Sequence, residues 1–269
     1  MCAPLIIYGD DMEEILNSGF AELGIPVPDG AIERLRGYYE YLAERNAVMD
    51  LTAITGEENT ARAHFLDCCA LLKAADFEDR RLLDVGSGAG FPGLPIKIMS
   101  PSTRVTLLDS QRKRVDFTSE CIARLGLRGI ESLCMRAEDA PPEMRESYDI
   151  ATSRAVAKLN LLLELCLPFV RPGGVFIAMK GSDCDAEVAE AANAAGQLGA
   201  KIRGVHRYTV PGTDIVHAAV LVDKLSPTPP QFPRRWARML KKPLRMKKVP
   251  RSAVSARRAG DFDACQYSF

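Results

Sequence analysis

Residues Arg81 to Pro95 read RLLDVGSGAGFPGLP. A short apolar run ends in an aspartate, Asp84, and passes into a loop holding four glycines, Gly86, Gly88, Gly90 and Gly93. Such a run, bounded by turn residues, has the texture of a buried strand. A loop so dense in glycine lets the backbone come close to a ligand. In open α/β sheets, ligands sit in the crevice beyond the carboxyl ends of the strands, and the helix that follows adds unpaired N–H groups and a positive dipole end. Three ligand classes compete for this loop: a dinucleotide, a nucleoside triphosphate, or another adenosine-bearing molecule.

Gly88, Gly90 and Gly93 satisfy the dinucleotide pattern G-x-G-x-x-G, but a lone match of that kind is weak. No Gly-Lys-Ser/Thr follows, which excludes a phosphate-cradling P-loop. The strand-terminal Asp84 decides between the remaining two, because a carboxylate held close to a pyrophosphate repels it. An acid there suits a ligand with an ammonium group and no phosphate. S-adenosylmethionine has that chemistry: a methionine zwitterion, a sulfonium, a ribose and an adenine. The next strand ends in Asp109, nineteen residues past Gly90, the interval at which an acid reaches a ribose hydroxyl pair. The strand after that ends MRAEDA (135–140), which brings Ala137, Glu138 and Asp139 toward the adenine edge. Three consecutive strand ends supply groups in the order this ligand needs them.

Working outward from the loop, RLLDV (81–85), RVTLLDS (104–110), ESLCMR (131–136), YDIATS (148–153) and GVFIAMK (174–180) read as strands. Helices are expected near 93–100, 111–126, 155–170 and 184–198. This alternation implies a doubly wound, mostly parallel sheet covered on both faces. RGVHRYTV (203–210) and DIVHAAVLVDK (214–224), joined through PGTD, add an antiparallel hairpin at one edge and bring the sheet to seven strands. Residues 1–80 read as a small N-terminal helical region, with Ile32, Leu35, Tyr39 and Leu42, and later Phe65, Cys69 and Leu72, at three- and four-residue spacing. Residues 81–224 make the ligand-binding domain. Residues 225–269 form a Pro-rich basic tail, expected to be extended because it shows no apolar period.

The chain has 269 residues, 35 basic and 35 acidic, for a formal charge of zero. That balance is uneven: from Leu225 to Gly260 there are eleven Lys or Arg and no Asp or Glu. A segment so one-sided points to a polyanionic partner. No cleavable leader pattern opens the chain, and its longest apolar stretch, LNLLLELCLPFV (159–170), is too short and interrupted to span a membrane. The expected setting is the cytoplasm, as a monomer. The eight cysteines contain no C-x-x-C pair, which favours free thiols over disulfides or zinc.

LLDVGSGAGFPGLPIKI, VTLLDSQRKRVDF, RAEDA, SRAVAKL and RPGGVFIAMKG together resemble the RsmG/GidB family of bacterial methyltransferases, which modify guanine N7 in small-subunit (16S) ribosomal RNA. The resemblance extends from ERNAVMDLTAITGEENTARAHFLDC upstream to FPRRWARMLKKPL downstream, about Tyr38 to Leu244. It implies a class I, Rossmann-like fold, S-adenosylmethionine as methyl donor, and 16S ribosomal RNA or the small ribosomal subunit as partner. This chain departs from the family where it carries Asp50 for a usual Asn, Cys68 for a usual Ser, and Ala237 and Met239 for a usual Gly and Pro.

Guanine N7 carries a lone pair and no proton, so methylating it requires no general base, only alignment and charge stabilisation. No Asn-Pro-Pro-Tyr follows the fourth strand, where adenine-N6 methyltransferases carry it; TSRA stands there instead. The expected cofactor contacts are Asp84, Gly86, Gly88, Gly90, Phe91, Asp109, Ala137, Glu138 and Arg154. Arg154, Ser153 and Lys180, at strand ends facing the crevice, are the expected catalytic group. His64, Arg234, Trp236 and Lys241 are the expected RNA contacts, Trp236 either stacking on a base or anchoring the tail. His64, Asp67 and Cys68, at i, i+3 and i+4, either brace the N-terminal helices against the loop or touch RNA. Two other readings share this sequence: a methyltransferase of another substrate, and a non-catalytic RNA-binding assembly protein.

Overall fold

The computed structural model describes residues 12–154 and 157–244. Two N-terminal helices, α1 (Met12–Leu23) and α2 (Ala31–Met49), are followed by α3 (Glu57–Thr60), a wide π turn (Ala61–Leu66) and α4 (Asp67–Cys69). The sheet begins with β1 (Arg81–Val85), and α5 (Gly93–Met99), β2 (Arg104–Asp109), α6 (Arg112–Arg124), β3 (Ile130–Cys134) and β4 (Tyr148–Arg154) succeed it. After α7 (Leu159–Cys166) come β5 (Val170–Gly181), α8 (Asp185–Gln197), β6 (Ala200–Thr209), β7 (Val216–Lys224) and α9 (Trp236–Lys241). Strand order is β3-β2-β1-β4-β5-β7-β6; the first five run parallel, and β7 and β6 are antiparallel. The sheet winds outward in opposite directions from β1 and β4, so the loop after β1 opens at the switch point where such folds bind ligands.

Strand alternation explains why both faces are covered. Leu82, Ile150 and Ile177 point to one face, while Leu83, Ala151 and Phe176 point to the other. The first face packs against α1, α2, α5 and α6 through Leu35, Tyr38, Phe65, Leu94 and Phe117; the second packs against α7 and α8 through Leu162, Leu163, Ala191 and Ala194. The N-terminal helices therefore share one continuous core with the sheet. Each large side chain removed from water there contributes about 1.5–3 kcal/mol. Expected and observed helices agree to within a residue or two at 93–99, 112–124 and 185–197. The helix expected from 155 is observed as α7 from Leu159, and Ala155 and Val156 lie outside the described residues.

The C-terminal segment corrects an expectation. Residues 225–244 are not an extended tail: Phe232, Met239 and Leu244 are buried in the second core. Lys224, 1% exposed, donates to Glu146 Oε1, Leu167 O, Val170 O and Thr228 Oγ1 at 2.8–3.1 Å. The Arg145 guanidinium holds the carbonyls of Thr228, Pro229 and Phe232. Arg234 forks onto Glu164, which is fully buried on α7, with Nε–Oε1 2.6 Å and Nη2–Oε2 2.5 Å, and the Arg234 N–H adds a third bond. Residues 245–269, Cys2 and Cys265 lie outside the described residues. Glu164→Gln is expected to cost about 2 kcal/mol by weakening a charge-assisted fork. A fall in Tm of roughly 5 °C on thermal denaturation checks it; an unchanged Tm would mean that the apolar anchors alone hold the segment.

Candidate active site

The loop after β1 is shaped by backbone that only glycine adopts readily. Gly86, Gly88 and Gly90 have φ of 75°, 58° and 103°. The Gly86 and Ser87 N–H groups donate to Leu108 O, which ties the loop to β2. At Gly90 an added Cβ falls 2.3 Å from Leu94 Cδ1 and 3.0 Å from the Tyr38 hydroxyl, whereas at Gly88 it meets nothing within 4 Å. Gly90→Ala is therefore expected to destabilise by about 2 kcal/mol through strain and overpacking. Gly88→Ala, strained at φ 58° but uncrowded, is expected to lose less than half as much; denaturant titration of the two variants side by side checks the order.

Asp84 is fully buried. Its Oδ2 accepts the Gly93 N–H at 2.9 Å, while its Oδ1 makes no well-formed hydrogen bond among the described residues and the Thr152 hydroxyl only weakly stabilises the anion. Burial is the main reason its carboxyl titrates at about 7, outweighing the Gly93 hydrogen bond and the charge of Arg154. Asp109, at the end of β2, accepts Gly88 N–H on Oδ2 at 2.9 Å and Gln111 N–H on Oδ1 at 2.8 Å, with Arg114 3.5 Å away. Beyond these strand ends lies a crevice of about 250 Å³ whose walls include Gly86, Asp109, Ala137, Glu138, Leu165 and Trp236. Glu138 pairs with Arg136 at 3.7 Å. Sequence reasoning found the floor and acidic rim of this crevice and missed Leu165, Met135 and Arg114, which are ordinary core or surface residues until the sheet brings them together.

A second cluster lies behind the loop. Phe91 is buried rather than turned toward the crevice, stacked on His64 with ring centroids 4.2 Å apart and on Tyr38 at 5.3 Å, so it serves as a staple between the loop and the helical region. The Tyr38 hydroxyl donates to Ala89 O. Arg154 stands over the Phe91 ring at 4.9 Å and donates to His64 Nδ1 at 2.9 Å and to Cys68 Sγ at 3.7 Å, with Asp67 Oδ2 3.7 Å away. Because Arg154 can only donate, His64 Nδ1 accepts, and the ring proton sits on Nε2, facing Thr52 Oγ1 at 2.9 Å. Burial and then the Arg154 charge push His64 down to about 3, so the ring is neutral. Asp67 Oδ1 also accepts the Tyr208 hydroxyl at 2.8 Å and lies 2.7 Å from His217 Nδ1. This contact is the main reason the His217 pKa is raised.

These placements correct several expectations. His64, 3% exposed, has no face for RNA; it is bracing, as the alternative reading of His64, Asp67 and Cys68 held. Ser153 Oγ is buried and donates to Val85 O at 2.9 Å, stitching β4 to β1 instead of lining the crevice. Lys180 donates to Ala157 O at 2.8 Å and Glu187 at 2.9 Å, so it props the connection after β4 instead of offering a free cation. Arg234 is committed to Glu164. Trp236 packs partly against the second core and lines the crevice, while Lys241 and its neighbours Arg238 and Lys242 remain exposed. The two departures near the N-terminus are accommodated: Asp50 takes the left-handed conformation at φ 49°, which Asn and Asp tolerate best, and Cys68 offers its sulfur to Arg154.

The model of the family described as rRNA small subunit methyltransferase G matches residues 31–211. A protein of Clostridium perfringens (strain 13 / Type A) named ribosomal RNA small subunit methyltransferase G is 42% identical over 241 residues, covering 88% of this chain and 99% of its own. The chain belongs to this family. A second relative of the same name, from Alkaliphilus metalliredigens, is 42% identical over 234 residues, covering 86% of this chain and 98% of its own. Among solved structures, one described as a predicted O-methyltransferase from Agrobacterium tumefaciens aligns at a TM-score of 0.48 with 20% identity, over 61% of this chain and 81% of that one. The family match takes in the glycine loop, Asp109, Arg154 with His64, Asp67, Cys68 and Phe91, and the first strand of the hairpin, β6. It ends before Trp236 and α9.

Proposed function

We propose that the chain transfers a methyl group from S-adenosylmethionine to N7 of a guanine in small-subunit ribosomal RNA. The observation that carries this reading is a crevice at three consecutive strand ends, rimmed by Asp109 and Glu138, in a chain 42% identical to a protein named for that class of reaction. The residues fit the cofactor. Asp84, fully buried just behind the crevice wall at the Gly86 loop, supplies negative charge that favours an ammonium held there, Asp109 keeps lone pairs for a ribose, and Gly88 leaves open space beside the loop.

When bound, the cofactor supplies an electrophilic methyl on a sulfonium. The chain has to hold donor and acceptor in line and to tolerate a base that gains positive charge, and no side chain has to take a proton from N7. Arg154 fixes the loop from behind rather than touching the base, and the Lys180–Glu187 pair fixes the connection after β4. Exposed Arg238, Lys241 and Lys242 suit phosphate contact, which makes RNA binding weaken with salt. We place the protein in the cytoplasm, with its substrate; among the described residues, no helix is long and apolar enough to cross a membrane.

The test is transfer of tritium from methyl-labelled S-adenosylmethionine to ribosomal RNA from cells lacking the gene, followed by borohydride and aniline cleavage. Label with cleavage at one guanine supports the reading in full. Label without cleavage keeps the methyl transfer and removes N7. Absence of label on RNA and on intact subunits overturns the reading.

A further inference from the structure

Trp236, the one tryptophan of the chain, was expected either to stack on an RNA base or to anchor the tail; its side chain forms part of the crevice wall with Ala137, Glu138 and Leu165. Two ion pairs place it there. Arg234, two residues earlier, forks onto buried Glu164 of α7, and Arg235 pairs with Asp139, at the end of the turn that follows β3. Met239, fully buried and one turn on from Trp236 on the same face of α9, pins that face to the second core. The indole is thus fixed between α7 and the end of β3, one strand spacing, about 4.8 Å, beyond the Asp109 strand. On the reading proposed above, a ligand crossing the strand ends from β1 to β3 presents its methionine end at the Gly86 loop, its ribose at Asp109 and its base at Ala137 and Glu138. The flat ring beside those last two residues meets the base.

We propose that Trp236 is a cofactor-binding residue, the aromatic wall against which the adenine packs, so that cofactor occupancy also fixes the basic helix α9. This inference rests on the S-adenosylmethionine reading and extends it to a segment beyond residues 31–211, the part that the family model matches. Stacking of an aromatic ring on a base alters affinity by about tenfold to hundredfold. Because Arg238 and Lys241 share α9 with Trp236, a ligand that holds the indole holds those cations in place as well.

The test uses the full chain and its intrinsic fluorescence, which reports on this single indole. S-adenosylhomocysteine and adenosine are expected to quench it saturably, and methionine to leave it unchanged. Calorimetry on the same samples is expected to show Trp236→Ala weakening S-adenosylhomocysteine tenfold to hundredfold, with Trp236→Phe recovering most of the loss. S-adenosylhomocysteine should also slow tryptic cleavage after Arg235 and Arg238, located by mass spectrometry, in the wild type and not in Trp236→Ala. Binding heat with unchanged fluorescence, and a Trp236→Ala affinity within twofold of wild type, overturns the inference and leaves the methyltransferase reading standing. No binding heat in the wild type overturns both. The wild-type titration needs no variant, so a Trp236→Ala protein that fails to fold does not block the decision.

Discussion

Asp84→Asn is expected to make the free protein more stable at pH 8 while weakening S-adenosylhomocysteine by about tenfold to hundredfold. The carboxyl of Asp84 titrates near 7 in the folded protein against an ordinary value of 3.8, chiefly because it is buried. Between those two values the folded chain holds a proton that the unfolded chain has released, so stability falls as pH rises through that window. The gap corresponds to a penalty on the order of 4 kcal/mol once pH passes about 7. An asparagine carries no such penalty. It keeps an oxygen for Gly93 N–H, a weaker bond to a neutral acceptor that takes back about 1 kcal/mol. Its amide can donate to Thr152 Oγ1, in register with residue 84 on β4, in place of the weak stabilisation that the Thr152 hydroxyl gives the wild-type carboxylate. The net gain is about 3 kcal/mol at pH 8, shrinking toward zero near pH 4. Urea titrations at the two pH values check the sign and the slope. A variant less stable than wild type at pH 8 would mean that Asp84 is stabilised as an anion by the fold itself. The loss in function follows from the same charge, because an ammonium at the Gly86 loop loses the negative charge buried just behind it. A residue that costs stability when the pocket is empty and repays it when a cation arrives is a usual trade at binding sites. Unchanged affinity in the variant would place the ammonium elsewhere.

The parts of this protein legible in the sequence are those set by local periodicity. RLLDV and VTLLD are strands because they are apolar, short and closed by turn residues, and their aspartates fall at the carboxyl ends because the strands stop there. The glycine loop was readable because φ values such as 103° at Gly90 admit little else. What stayed hidden depends on partners far along the chain. The segment from 225 to 244 looks polar and aperiodic, yet Phe232, Met239 and Leu244 each find an apolar site, and Glu164, seventy residues away, turns Arg234 from an RNA contact into a structural pin. Glu164 itself looked like an interruption in LNLLLELCLPFV; its burial makes sense only once Arg234 is placed against it. His64, Phe91 and Arg154 come from three separate elements, and no spacing rule announces that they stack. The π turn at Ala61–Leu66 changes the helical spacing on which the shared-face expectation for His64, Asp67 and Cys68 was based, but all three still reach Arg154.

Arg154→Met is expected to cost about 3 kcal/mol at pH 7, and the cost is expected to shrink as the solution is acidified. The guanidinium bridges β4 to the π turn and α4, and it caps the Phe91 ring that fastens the glycine loop. Its removal leaves Asp67, 2% exposed, with Tyr208 and His217 only, which is the situation of a buried charge deprived of one partner. His64 supplies the pH dependence. In the wild type its pKa is lowered from 6.5 to about 3, first by burial and then by Arg154. Between those values the unfolded chain binds a proton that the folded chain refuses, so stability drops as pH falls from about 6.5 toward 3. Without the arginine only burial depresses the ring, its pKa rises part of the way back, and less stability is lost on the acid side. The two denaturation curves should therefore converge between pH 6.5 and 4, while histidine NMR shows the His64 resonance titrating at higher pH in the variant. Arg154→Lys should recover less than half of the loss, because a point charge cannot lie flat over Phe91 and reach His64 Nδ1 together. Curves that stay parallel across that range would show that the Arg154 charge does not act on His64, and full recovery by lysine would reduce its role to that of any cation. Loss of this side chain loosens the loop from behind. S-adenosylhomocysteine affinity should then fall in Arg154→Met although no atom of Arg154 lines the crevice, which separates a positioning residue from one that touches the ligand.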